Sequence, residues 1–140
     1  MNGWEVKTIL VGYDGSDGAE RAIELAQEVA QIRKAAVIVL TAFPHSPRVM
    51  NVGDKVGRDI EEAREEAAEA VARLMAAGVN AVSDVAEGPA AHALLEAAEI
   101  RGADLIIVGS RGRNRLAELL LGSTSEEVVR RATLPVLVAR

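Results

Sequence analysis

Two segments of the chain carry glycine at the spacing of a turn that brings main-chain amides up to a ligand. Val11-Gly12-Tyr13-Asp14-Gly15-Ser16 and Val108-Gly109-Ser110-Arg111-Gly112-Arg113 both read V-G-x-x-G, with small or polar residues between. Glycine lets the backbone turn sharply and leaves amides free to donate to an anion. Either segment alone is equally an ordinary strand-to-helix turn. A third segment shifts the balance. Nine residues separate Gly112 from Gly122-Ser123-Thr124-Ser125-Glu126-Glu127. Ser123 with Glu126, or Thr124 with Glu127, has capping-box spacing and predicts a helix start. The first amides of a helix are unpaired and its dipole end is positive, which favours phosphate. Hydroxyls at 123, 124 and 125 add donors without bulk, and Arg111, Arg113 and Arg115 supply positive charge.

Other chemistries find no footing. There is no G-x-x-x-x-G-K-[ST] for a P-loop, and Gly12, Gly15 and Gly18 do not make G-x-G-x-x-G. Leu40-Thr41-Ala42-Phe43 lacks the ribose-binding acid of a dinucleotide fold. Neither G-x-S-x-G nor H-E-x-x-H occurs, and His45 and His92 have no metal-ligand partner at useful spacing. Cysteine is absent, which excludes disulfides, thiolate metal sites and cysteine nucleophiles. Asp14 and Asp17 follow the first strand as in phospho-acceptor folds. A receiver domain also needs an acceptor Asp after the third strand and a Lys after the fifth, where Ala86-Glu87 and Ala139-Arg140 stand instead. No residue is assigned as catalytic, and none as a metal ligand.

Composition narrows the partners. The 140 residues, 49% hydrophobic and 26% charged, are expected to form one domain over 1–140. A net charge of −5 and only three aromatic side chains argue against nucleic acid. Charge is uneven, however: residues 101–140 hold seven arginines and four acids, a bias suited to a small anion. No apolar run is long enough to span a membrane, and the opening MNGWEVKTILVG lacks a signal-peptide layout, so a cytoplasmic protein is expected.

The elements that must position these residues alternate in period. Apolar runs at 6–12, 36–42, 104–109 and 135–139, with a weaker alternating one at 79–86, predict strands. Helical spacing predicts helices over 17–33, about 55–77, from Pro89 to about 101, and about 124–132. Asp17 with Glu20 offers a capping box for the first, and Gly78 closes the second. Pro44 and Pro47 open a stretch without period to about Asp54, which reads as a loop. Buried strands alternating with amphipathic helices indicate a doubly wound α/β domain with a five-stranded parallel sheet. Ligands bind such sheets beyond the C-terminal strand ends, where the winding reverses.

These segments resemble the universal stress protein family, and in particular its ATP-binding branch, which carries G-x₂-G-x₉-G-[ST]. Gly109, Gly112, Gly122 and Ser123 match each position, and ILVGYDGS, ADLIIVGSRG and LLLGSTSEEVVRRATLPVLVAR extend the likeness over nearly the whole chain. The resemblance implies strand order 3-2-1-4-5, an adenine-nucleotide alpha hydrolase-like sheet that sets the first and fourth strands side by side. It implies that Asp14 contacts the ribose or adenine side and that Gly12 and Ala42 border the adenine. Val108, Gly109, Arg111 and Gly112 would line ribose and phosphates; the phosphate role of Arg111 rests on its charge. Gly122, Ser123, Thr124 and Ser125 would hold the phosphates of ATP, with Mg²⁺ or Mn²⁺ bridging them in some members. It further implies a homodimer through antiparallel pairing of strand 135–139, and an unidentified downstream protein partner. The expected function is thus nucleotide-responsive regulation with at most slow hydrolysis, no base being evident. Two alternatives stand beside it. One is a stress-response dimer whose glycine turns are structural; the other is a phosphatase or nucleotide hydrolase using Asp14 and a metal.

Overall fold

The computed structural model describes residues 3–43, 53–110 and 121–140, and of residues 53–59 the backbone alone. Strand and helix alternate as β1 (Thr8–Gly12), α1 (Asp17–Arg33), β2 (Ala36–Phe43), α2 (Gly53–Ala76), β3 (Ala81–Glu87), α3 (Ala90–Arg101), β4 (Leu105–Gly109), α4 (Ser123–Arg131) and β5 (Val136–Ala139). Every strand pair is parallel and the sheet order is β3-β2-β1-β4-β5, the order the resemblance implied. The chain winds outward from β1 to β3 and then crosses back to β4 on the other side of β1. Winding therefore reverses between β1 and β4.

Successive residues of the central strands serve opposite faces. Ile9 and Val11, Val37 and Val39, and Leu105 and Ile107 pack against Ala22 and Ala26 of α1 and Ala67, Ala70 and Leu74 of α2. Leu10, Ile38, Leu40, Ile106 and Val108 pack the other way, against Leu94 and Ala98 of α3 and Val128 of α4. Two covered faces explain why these strands read as unbroken apolar runs. Ile9, Leu10, Val11, Ile106 and Ile107 have no exposed surface, and each burial contributes roughly 1.5–3 kcal/mol. Alanine along α1 and α2 lets both helices lie close on the sheet.

Element boundaries depart from expectation for identifiable reasons. β1 begins at Thr8, not at residue 6, because the Asp104 carboxylate takes the amides of Lys7 and Thr8 at 2.8 and 3.0 Å. The expected 44–54 loop falls mostly outside the described residues, and Gly53 and Asp54 are already helical. Gly78 does terminate α2, at φ +83°. The cap of α1 is Ser16 rather than Asp17: Asp14 Oδ1 accepts the Ser16 amide at 2.9 Å, and Ser16 Oγ accepts the Ala19 amide at 3.2 Å. Glu20 is released from capping to pair with Arg73. No serine or threonine caps α4 either. Its N-cap is Gly122, with no side-chain cap hydrogen bond.

Candidate functional site

The end of the sheet opens where its two middle strands part company. β1 and β4 pair as far as Val11 and Ile107. Beyond that, the Tyr13 amide donates to Leu40 O of β2 at 2.9 Å, while the Ser110 amide donates to Ala139 O of β5 at 2.7 Å. Each strand end thus stays with its outer neighbour, and a cleft forms between them. A cavity of about 240 Å³ occupies it. Its lining includes Gly12, Asp14, Ala42, Val108, Gly109, Gly122, Ser123, Thr124 and Ser125, so every candidate within the described residues meets at one place. Arg111 and Gly112, with Arg113, Arg115 and His45, lie outside the described residues.

The long glycine spacing has a simple closure. The Gly122 amide donates to Ser110 O at 2.5 Å, so the chain that leaves β4 at Ser110 returns to the same carbonyl. Ser125 Oγ lies 3.0 Å from Ser110 O and 3.1 Å from Gly122 O. A hydroxyl has one proton, and in buried Ser125 it is directed at these carbonyls. Ser125 therefore holds the first turn of α4 against β4, and Ser123 and Thr124 line the cavity beside it. With no side-chain cap, the first amides of α4 and about half a positive charge of helix dipole are presented to the cavity.

The glycines differ in what they allow. A Cβ on Gly12 would come 2.9 Å from Leu94 Cδ1 and 3.5 Å from Val108 Cγ1, which are cavity-lining side chains. Its missing side chain is cavity volume. A Cβ on Gly109 would instead stand 2.5 Å from the carbonyl carbon of Gly18, in the first turn of α1. Here glycine is required by packing.

Tyr13, Ser16, Ala19, Ala90 and Leu94 complete the lining among the described residues. Sequence reasoning missed them. The signal for two was present: Ala90 opens the helix after Pro89, so it too follows a strand end, and Leu94 lies one turn on. Ala42, Ala90, Leu94 and Val108 give the cavity apolar surface beside the donors at the α4 end. Among the described residues, Asp14 is the one carboxylate in the lining, and no three His, Cys, Asp or Glu side chains are grouped to hold a metal ion.

Behind the cavity, the Tyr13 hydroxyl hydrogen-bonds to Glu20, whose Oε1 lies 2.9 Å from Arg73 Nη2. Burial pushes the Tyr13 phenol well above its ordinary value, and donation to Glu20 adds to this; the Arg73 charge pulls the other way and Glu66 adds a small push upward. Burial alone would raise Glu20, but hydrogen bonds from Arg73 and Tyr13 outweigh it and hold the carboxyl below the usual range. Arg73 is raised in return, first by its hydrogen bond to Glu20.

A doubly wound α/β sheet with a ligand-sized cavity at its switch point defines the class of protein. The sequence profile of the universal stress protein family matches residues 5–140. A Thermus aquaticus protein, "Universal stress protein in QAH/OAS sulfhydrylase 3'region", is 38% identical over 137 residues, covering 96% of this chain and 98% of its own length. The structure of UspA from Lactobacillus plantarum superposes with a TM-score of 0.89 at 25% identity, covering 99% of this chain and 100% of its own. A universal stress protein in complex with cAMP gives a TM-score of 0.68 at 31% identity, over 97% and 98% of the two chains. One from Archaeoglobus fulgidus in complex with dAMP gives 0.77 at 25% identity, over 96% and 98%. The chain belongs to the universal stress protein family. Among the described residues, no helix is long and apolar enough to cross a membrane.

Proposed function

We propose that this universal stress protein binds ATP in the cavity between β1 and β4 and acts as a nucleotide-responsive regulatory homodimer in the cytoplasm. The observation that carries the reading is the pairing, in one cavity, of an apolar side at Ala42, Ala90, Leu94 and Val108 with the uncapped N-terminus of α4. An adenine fits the first and a phosphate chain the second. That relatives of the same fold are described with cAMP and with dAMP supports an adenine nucleotide. Asp14 stands at the mouth of the α1 turn for the ribose or base edge, and Arg111 and Gly112 extend the phosphate side in this reading.

Binding of this kind needs no chemistry on the phosphates. Among the described residues of the lining, Asp14 is the one carboxylate and no His or Lys stands there. Turnover is accordingly expected to be slow. Mg²⁺ or Mn²⁺, when bound through the phosphates, would offset their charge. β5 is an edge strand whose outer side has no neighbour in the sheet among the described residues, and Leu137 on it is 37% exposed. Antiparallel pairing with β5 of a second copy covers that edge.

Thermal unfolding with ATP, ADP, AMP and cAMP tests the reading. Ligand that binds only the folded state at a hundredfold excess over Kd adds about 2.7 kcal/mol, a rise of several degrees in midpoint. No rise at millimolar ATP would contradict it and favour a dimer that acts by protein contacts alone.

A further inference from the structure

We infer that Tyr13 and Glu20 are positioning residues for the nucleotide site: through Arg73 they tie the turn carrying Gly12 and Asp14 to helix α2. The inference rests on the proposed function, because it concerns how that site is held.

Tyr13 lies in sequence between Gly12 and Asp14, both of which line the cavity. It follows that any rotation of Tyr13 moves both. Its amide is fixed to β2 through Leu40 O, and its ring is buried, 7% exposed, within the layer between the sheet and α1 and α2. Its hydroxyl ends on Glu20, in the first turn of α1. Glu20 in turn holds Arg73, in the last turn of α2, at 2.9 Å. Three elements thus meet behind the turn, and Glu20 is the shared acceptor. The groups facing Tyr13 are Glu20, Arg73 and, more weakly, Glu66; Asp17 faces Glu20. A buried phenol could have been a phenylalanine if the layer needed only bulk. The hydroxyl instead meets Glu20, and through the Glu20–Arg73 pair the cavity wall is joined to α2, none of whose described side chains lines the cavity.

The chain has one tyrosine, so phenolate absorbance reports Tyr13 alone. Three variants are compared with the wild type by ATP calorimetry, chemical denaturation and alkaline titration. Tyr13→Phe and Glu20→Ala are expected to weaken ATP binding about tenfold, the scale of one hydrogen bond to a charged group. Glu20→Gln keeps an acceptor for the hydroxyl and is expected to recover most of that loss, to within about threefold of wild type. In Glu20→Ala the phenol is expected to ionise at lower pH than in wild type. Wild-type affinity in Tyr13→Phe, with stability alone reduced, would overturn the inference. So would a Glu20→Gln variant as weak as Glu20→Ala, or an unchanged phenol titration in Glu20→Ala. If the wild type itself binds no ATP, the proposed function fails and this inference with it, an outcome separate from the other three.

Discussion

Gly109 at the end of β4 lies so close to Gly18 in α1 that a Cβ on it would stand 2.6 Å from the Gly18 carbonyl oxygen. The neighbour is backbone, which no rotamer change can move aside. Gly109→Ala is therefore expected to push α1 off the sheet and to cost about 1–3 kcal/mol of stability. Gly12 contrasts with it, since its Cβ would meet the movable tip of Leu94. Gly12→Ala should lose about 1 kcal/mol or less, yet it fills the cavity and should weaken nucleotide binding. Denaturation and calorimetry on the two variants separate these effects; equal behaviour in both would contradict the assignment.

Gly122 returns the chain to Ser110 and begins α4 without a side-chain cap. A valine there adds an isopropyl group beside the first amides of the helix. Gly122→Val is expected to abolish detectable ATP binding while the dimer persists, as read by calorimetry and by light scattering. ATP affinity equal to wild type in that variant would move the phosphate site elsewhere.

Stability should depend on pH at both ends through one cluster. Glu20 is held below its usual value in the folded protein, so its contribution is present above about pH 4.3 and is lost as pH falls through the lowered value. Tyr13 is raised, so its contribution is present below about pH 10 and is lost as pH rises toward the folded value. Denaturation midpoints measured across pH should show both declines. In Tyr13→Phe the alkaline decline should shrink, because no other tyrosine exists to supply it.

Leu137 on the outer strand β5 carries the proposed dimer edge. Leu137→Lys puts a charge on that edge and is expected to give a monomer by light scattering, with the sheet otherwise intact by circular dichroism. A dimer unchanged by this substitution would point to another surface.

Much of the architecture was legible because its physics is local. Two-sided burial wrote Ile9 to Val11 and Leu105 to Val108 as apolar runs, and strand ends announced themselves at Gly12 and Gly109. The two capping boxes failed for a local reason that spacing does not encode. Asp14 folds back on the Ser16 amide and leaves Ser16, not Asp17, to cap α1, while α4 begins earlier than its boxes need, with Ser123 already helical and Gly122 at the cap. Glycine spacing and the helix-start signal grouped Gly122 with Gly109, but the closure of Gly122 onto Ser110 spans eleven intervening residues and was not readable from either. The Tyr13–Glu20–Arg73 chain was invisible: Arg73 lies 53 positions beyond Glu20, and each of the two in isolation is an ordinary helix-face charge.

The central claim is that main-chain amides at the start of α4 hold the phosphates of an adenine nucleotide. An amide-resolved NMR titration with ATP tests it most directly. The account predicts saturable shifts concentrated at Ser123, Thr124 and Ser125, with smaller ones at Gly12 and Gly109 across the cleft. Saturable shifts that leave Ser123 to Ser125 unmoved, or no shifts at millimolar ATP, would contradict it.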